Sequence, residues 1–167
     1  MTAPKESLKT RLFRLGTNFF PCYRGTGGRV TFIAEDFRCI RIRLPLSWRT
    51  RNVVGTIFGG SIYAATDPFH MLMLRMRLGK NYVIWDKAAS VQFIRPGKST
   101  LYAEFVLTAA EEAEILRLLK QQPSVDRVYT VELCDKNGVV HAIVQKVVYI
   151  TTKKAYAEKQ KQRQKAA

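Results

Sequence analysis

Apolar and polar positions alternate along the chain in blocks that switch between helical and strand spacing. In residues 5–20, Leu8, Leu12, Leu15 and Phe19 form one helical stripe, while Lys5, Lys9, Arg11 and Arg14 face mostly elsewhere. A basic amphipathic helix suits a membrane surface, but packing of the stripe onto the domain is the preferred expectation. Pro21 and the glycines at 25, 27 and 28 are expected to end this helix. Strands are then predicted over 29–35 and 37–46, the second with Ile40, Ile42 and Leu44 on one face and Cys39, Arg41 and Arg43 on the other.

The stretch from Trp48 to Arg77 follows, and the rest of the pattern is arranged around it. It opens as a basic polar loop, turns at Gly55, passes Gly59 and Gly60, and becomes the most apolar run of the chain. Ile62, Tyr63, Thr66, Phe69 or His70, and Met73 recur at three- and four-residue steps, which predicts a helix. Because the run is apolar nearly all round, that helix should be enclosed by other structure. Asp67 and Pro68, a charge and a helix breaker, sit in its middle.

Residues 82–95 read as a long strand with a bend or bulge at Asp86–Ala89. Pro96-Gly97-Lys98 is the predicted turn, with 101–108 pairing back on that strand and a short surface helix over 109–121. Two strands, 126–134 and 139–151, flank the hairpin turn Asp135-Lys136-Asn137-Gly138. Residues 153–167 form a polar basic tail, either a frayed helix or disordered. The expected class is α+β, with antiparallel strands curling around one central helix.

Composition and charge narrow the reading further. The 167 residues suffice for one domain, and 47% hydrophobic with 25% charged residues is ordinary for a globular chain. No apolar run reaches membrane-spanning length, and the N-terminal stretch lacks a signal-peptide pattern. Cys22, Cys39 and Cys134 are scattered and odd in number, which fits reduced thiols in a cytoplasmic protein. A net charge of +15 points toward an anionic partner (nucleic acid, an acidic membrane or a phosphorylated small molecule) or to solubility alone. Nucleic-acid binding is disfavoured, since Tyr156 is the only aromatic residue in the basic tail.

The sequence lacks a Gly-x-Ser-x-Gly elbow, a phosphate-binding Gly-x-x-x-x-Gly-Lys and a His-Glu-x-x-His motif, and His70 and His141 lack metal-ligand spacing. No metal or cofactor is expected. Gly59-Gly60 lies at a helix start, where free backbone N–H groups suit an anion or an oxyanion. Close packing explains a glycine pair equally well. Asp67 taken alone fits a structural carboxylate bonded to a neighbouring strand or subunit, and His70 could pair with it or simply be packed.

Asn52-x-x-Gly55-x-x-Phe58-Gly59-Gly60 followed by Asp67 resembles the active-site signature of hotdog-fold thioesterases of the phenylacetyl-CoA type. Residues 90–105, SVQFIRPGKSTLYAEF, resemble that family's strand, Arg-Pro turn and strand. The likeness covers roughly residues 29–151. The chain is similar to an uncharacterised thioesterase-like, domain-of-unknown-function branch sharing Trp-Arg-Thr-Arg-Asn and Thr-Asp-Pro-Phe.

The resemblance implies a hotdog fold, in which a curved antiparallel sheet wraps a long central helix. It further implies homodimers joined edge to edge, which can pair as dimers of dimers, with sites at the subunit interface. In its terms the Gly59 amide polarises a thioester carbonyl, Asp67 is general base or nucleophile, and Asn52 positions substrate or water. The expected substrate is an acyl-CoA or related thioester. Phe58 and Gly60 border it, and Arg49, Arg51 or tail lysines are expected, from charge alone, to meet coenzyme A phosphates. The motif histidine is Phe58 here; loss of its hydrogen bond costs on the order of a hundredfold in rate, or leaves a protein that binds acyl ligands without hydrolysing them. The expected divisions are 1–28, helix and linker; 29–152, hotdog domain; and 153–167, basic tail.

Overall fold

The computed structural model describes residues 4–165. In chain order the elements are α1 (Leu8–Phe19), α2 (Pro21–Gly25), β1 (Arg29–Ile33), β2 (Cys39–Leu44), α3 (Gly59–Thr66), α4 (Phe69–Leu78), β3 (Tyr82–Phe93), β4 (Leu101–Val106), α5 (Ala109–Leu118), β5 (Ser124–Cys134), β6 (Val140–Thr152) and α6 (Lys153–Lys165). The six strands form one antiparallel sheet in the order β1-β2-β4-β5-β6-β3.

Strand periodicity translates directly into burial. Ile40, Ile42 and Leu44 of β2 and Leu101, Ala103 and Phe105 of β4 face the core, as do Val125, Val131 and Leu133 of β5. Ala142, Val144, Val148 and Ile150 of β6 join them. Ile62, Ala65, Phe69, Met73 and Leu74 of α3 and α4 fill the same core, with Phe69 tilted against Phe105 at 4.9 Å between ring centroids. The bulge in β3 lies between Asp86 and Ala88, and Gly138 takes φ 80° in the β5–β6 turn.

Three expectations are corrected. The central helical run is divided into α3 and α4, with Asp67 and Pro68 between them. Both joint residues keep right-handed helical dihedrals, so the axis continues while its hydrogen bonding is interrupted. β4 does not pair back on β3. Ile94 and Arg95 N–H both donate to the His141 carbonyl, the Pro96 carbonyl meets the His141 ring, and the Gly97 carbonyl accepts from Ile57 N–H. The turn is thus held elsewhere, β4 lies between β2 and β5, and β3 becomes the edge strand beside β6. α1 does end ahead of Pro21, as expected, and Pro21 opens a further short helix, α2, at the first helical position, where its missing N–H is harmless. The basic tail forms α6, whose Tyr156 packs edge-on to Trp85.

α1 supplies the third correction, because it packs with its polar face inward. β1 is the other edge of the sheet, and its backbone groups need partners. Asn18 accepts from Val30 N–H (2.8 Å) and donates to the Val30 carbonyl (2.9 Å), and Glu6 accepts from Ile33 N–H while holding Arg14. Thr10 is fully buried, and Phe13 packs edge-on to Phe37. The Leu8, Leu12, Leu15 and Phe19 stripe therefore points to solvent.

Candidate functional site

Two clefts hold Asn52, Gly59 and Asp67. The first lies at the start of α3. Loop 47–58 is anchored on the segment after β3 by Ile57 N–H donating to the Gly97 carbonyl, and it closes on itself through Phe58 N–H donating to the Thr50 carbonyl. Asn52, Thr56, Gly59, Ile62, Phe93 and Arg95 are among the walls of a cleft of about 430 Å³. The Asn52 side chain organises this loop. Its Oδ1 accepts from the N–H groups of Val54 and Thr56, and its Nδ2 donates to Thr56 Oγ1 at 3.0 Å. Arg51 borders the neighbouring groove, and Arg49 is exposed with its guanidinium over the Trp48 ring.

Both glycines of the pair have packing reasons. A Cβ on Gly59 would lie 2.9 Å from the Phe93 ring, and one on Gly60 2.3 Å from the Phe58 ring. Phe58 is the N-cap of α3, makes no side-chain capping bond, and is more than half exposed. The first amides of α3 have no partner within the helix.

The second cleft lies beside the α3–α4 joint, about 700 Å³ in volume, within the usual range for small-molecule sites of roughly 300–1,000 Å³. Its walls are mostly apolar, including Phe13, Phe20, Tyr23, Tyr63, Pro68 and Leu72, and among the described residues Asp67 is the only carboxylate lining it. The Asp67 side chain keeps 46% of its exposure, yet its Oδ1 is 2.9 Å from Lys146 Nζ. Lys146 projects from β6 and is completely buried. Its ammonium also donates to the Asp67 carbonyl and to the carboxylate of Asp86, which stands at the β3 bulge.

The interruption by Pro68 explains this cluster. Carbonyls at the end of α3 lack amide donors, and a cation there is favoured by the helix dipole. Lys146 fills that role at Asp67, and Tyr23 Oη donates to the Ala65 carbonyl at 3.3 Å. Two carboxylates surround one ammonium, so the cluster carries a formal charge of −1. Burial raises the Asp86 carboxyl above its ordinary range despite the Lys146 hydrogen bond, and Asp86 Oδ1 has no partner. Burial, with the Asp67 carboxylate close by, pushes the Tyr63 hydroxyl up to about 12.

Within one chain, Asn52 and Gly59 share the first cleft and Asp67 lines the second. His70 does not pair with Asp67: it is buried one turn on and stacks on Tyr129 at 4.6 Å. Lys146 and Asp86 were not singled out by sequence reasoning. The signal for Lys146 was its register, since Ala142, Val144, Val148 and Ile150 put residue 146 on the core face of a period-two strand. Among the described residues, no group of three or more His, Cys, Asp or Glu is arranged to hold a metal ion, and no helix is long and apolar enough to cross a membrane. Cys22, Cys39 and Cys134 are free thiols.

Comparisons with known proteins bear on the fold. The chain is similar to a crystal structure of a protein of unknown function from Pseudomonas aeruginosa, called a probable thioesterase. That pair has 18% identity and a TM-score of 0.75, covering 88% of this chain and 98% of the other. A protein of unknown function from Chlorobaculum tepidum matches at 12% identity with TM-score 0.67, covering 87% and 94%. A thioesterase from Haemophilus influenzae matches at 14% and 0.61, covering 91% and 96%. The curated proteins give no match. The family described as a domain of unknown function, DUF4442, matches residues 9–150. With a six-stranded antiparallel sheet packed on α3 and α4 in the thioesterase-like hotdog arrangement, the chain belongs to the DUF4442 family.

Proposed function

We propose that this protein hydrolyses an acyl thioester, with an acyl-CoA as the substrate class, and that Asp67 carries the reaction. The observation behind this reading is a half-exposed carboxylate in the wall of an otherwise apolar cleft, fixed in place by a buried ammonium. The apolar walls suit an acyl group. Asp67 accepts a proton from water as the water oxygen bonds to the thioester carbonyl carbon. The C–S bond then breaks, the thiolate takes that proton, and carboxylic acid and thiol leave. Gly59 and Gly60 amides are the proposed donors to the carbonyl oxygen, and Arg49, Arg51 and the α6 lysines supply positive charge for coenzyme A phosphates.

A site that joins Gly59 to Asp67 needs two copies of the chain in this reading, because the two residues line separate clefts of one. β3 supports such a homodimer: it is a twelve-residue edge strand on which only Asp86 and Lys87 are charged. Trp48, Val53, Val54, Phe58, Phe93 and Ile94 are exposed nearby, on loop 47–58 and at the end of β3. Pairing of two β3 edges would cover them, and residues 29–152 would be the unit that pairs.

Phe58 favours a second reading, that of a non-catalytic acyl or coenzyme A binder. Its ring offers no hydrogen bond where the related motif has histidine, and the Asn52 amide is already occupied within its loop.

Thiol release from acyl-CoAs graded in chain length separates the two. Hydrolysis is expected, and Asp67→Asn should lower it by about a hundredfold or more with unfolding temperature little changed. Full activity in that variant would remove Asp67 from the mechanism. Thermal stabilisation by acyl-CoA with no thiol released would favour the binder.

A further inference from the structure

We infer that α1 docks the protein on anionic membrane surfaces, its outward apolar stripe seated at the acyl boundary and its flanking cations among the headgroups. The proposal stands apart from the chemistry at Asp67. Leu8, Leu12, Leu15 and Phe19 recur on one helix face and are 73%, 60%, 41% and 71% exposed. Nothing among the described residues covers this face, and the helix cannot simply roll over to bury it. Its inner side is committed to β1 through Asn18 on Val30, and Glu6, just ahead of the helix, bonds Ile33.

The charges around the stripe select the partner. At 100° per residue, Lys9 falls on one flank of the stripe and Arg11 on the other. Both are exposed, as are Lys5 and Arg24. Residues 1–34 contain six Lys or Arg and one acidic residue, Glu6, whose carboxylate is bonded to Arg14 on the inner face. An apolar strip bordered on both sides by cations is the arrangement of an interfacial helix on anionic lipid. A second copy of the same face would instead set like charges against each other. β1, on which α1 packs, is the sheet edge opposite β3, so pairing through β3 leaves the stripe clear. Phe13, Thr17 and Phe20 of this region also wall the Asp67 cleft, so docking would bring that cleft close to the lipid.

Flotation of the full chain with vesicles of phosphatidylcholine and phosphatidylglycerol, against phosphatidylcholine alone, tests this. Binding is expected to the anionic vesicles. Leu12→Ser combined with Phe19→Ser should lower partitioning by roughly tenfold or more per side chain, and Lys9→Gln with Arg11→Gln by about fivefold per charge. Lys161→Gln with Arg163→Gln on α6 removes the same charge elsewhere and should change binding little. All six positions are exposed, and circular dichroism checks that the variants fold. The proposal is overturned by absence of binding, by unaltered binding of the stripe variant, or by equal loss in the α6 variant. It is also overturned if the stripe variant instead dissociates an oligomer in sedimentation velocity.

Discussion

The two ends of α3 are opposites. At its C-terminal end the polar groups around the helix break find partners inside the chain: Lys146 takes the Asp67 carbonyl and both nearby carboxylates, and Tyr23 takes the Ala65 carbonyl. At its N-terminal end the cap is an exposed phenylalanine, no side chain serves the first amides, and the neighbouring aromatic rings lie at the surface. One end is completed by the fold. The other has no side-chain cap. Asp67 belongs to both descriptions, since its carboxylate is bonded on the inside yet still lines a cleft.

The completed end can be broken most severely at Lys146. Replacing it with methionine leaves Asp67 and Asp86 facing each other without a counter-charge, one of them already poorly solvated. Removing one partner of a buried pair costs about 3–5 kcal/mol, and chemical denaturation should show a loss of that size. Adding Asp86→Leu should recover part of it. An unaltered midpoint for Lys146→Met would mean that the cation contributes nothing to the joint.

The next largest effect depends on pH and lies one turn further along, at His70. Burial, and secondarily the Lys146 charge, holds its imidazole at about 4 against an ordinary 6.5. Above 6.5 native and unfolded chains are both neutral at this residue. Between 6.5 and about 4 only the unfolded chain gains the proton, so stability falls as pH falls, by up to about 3 kcal/mol. Below that window the loss is complete. Nδ1 has no hydrogen-bond partner, and the ring is stacked on Tyr129 and edge-on to Phe105. His70→Phe should therefore flatten the curve of unfolding temperature against pH between 6.5 and 4. A curve parallel to that of the unsubstituted protein would show that another group titrates there.

Much of this contrast was readable in the amino-acid sequence, and the unread part has a common cause. Local patterns placed the strands, the Asp86 bulge, the Asn-Gly turn and the apolar run, because each is set by neighbours a few residues away. Pairings between distant segments were not local. The Pro96-Gly97-Lys98 turn suggested a β3–β4 hairpin, but His141 and Ile57 claim its backbone. A leucine stripe usually points inward, but the β1 edge needed the polar face of α1 more. Lys146 lies 79 residues from the helix break that it completes. The motif spacing selected Asn52, Gly59 and Asp67, yet spacing along a chain carries no information about which cleft each one lines.

The smallest stability effect belongs to the open end, and its smallness makes it diagnostic. Gly60→Ala places a methyl group where the Phe58 ring now sits, at 2.3 Å from Cε1. That contact would be severe in a core. Phe58 is more than half exposed, however, so its ring can swing into solvent. Alanine is also favoured over glycine within a helix by up to about 1 kcal/mol, which offsets part of the displacement. The monomer should therefore unfold within about 1 kcal/mol of its original stability. Thiol release or acyl-CoA binding should respond far more, because the displaced ring and added methyl crowd the amides proposed to face the ligand. A large loss of stability with dissociation in sedimentation would mean that a second subunit already clamps Phe58. Unchanged stability with unchanged ligand binding would leave the glycine pair as packing alone, and the open end of α3 would then have to be completed by something other than the substrate.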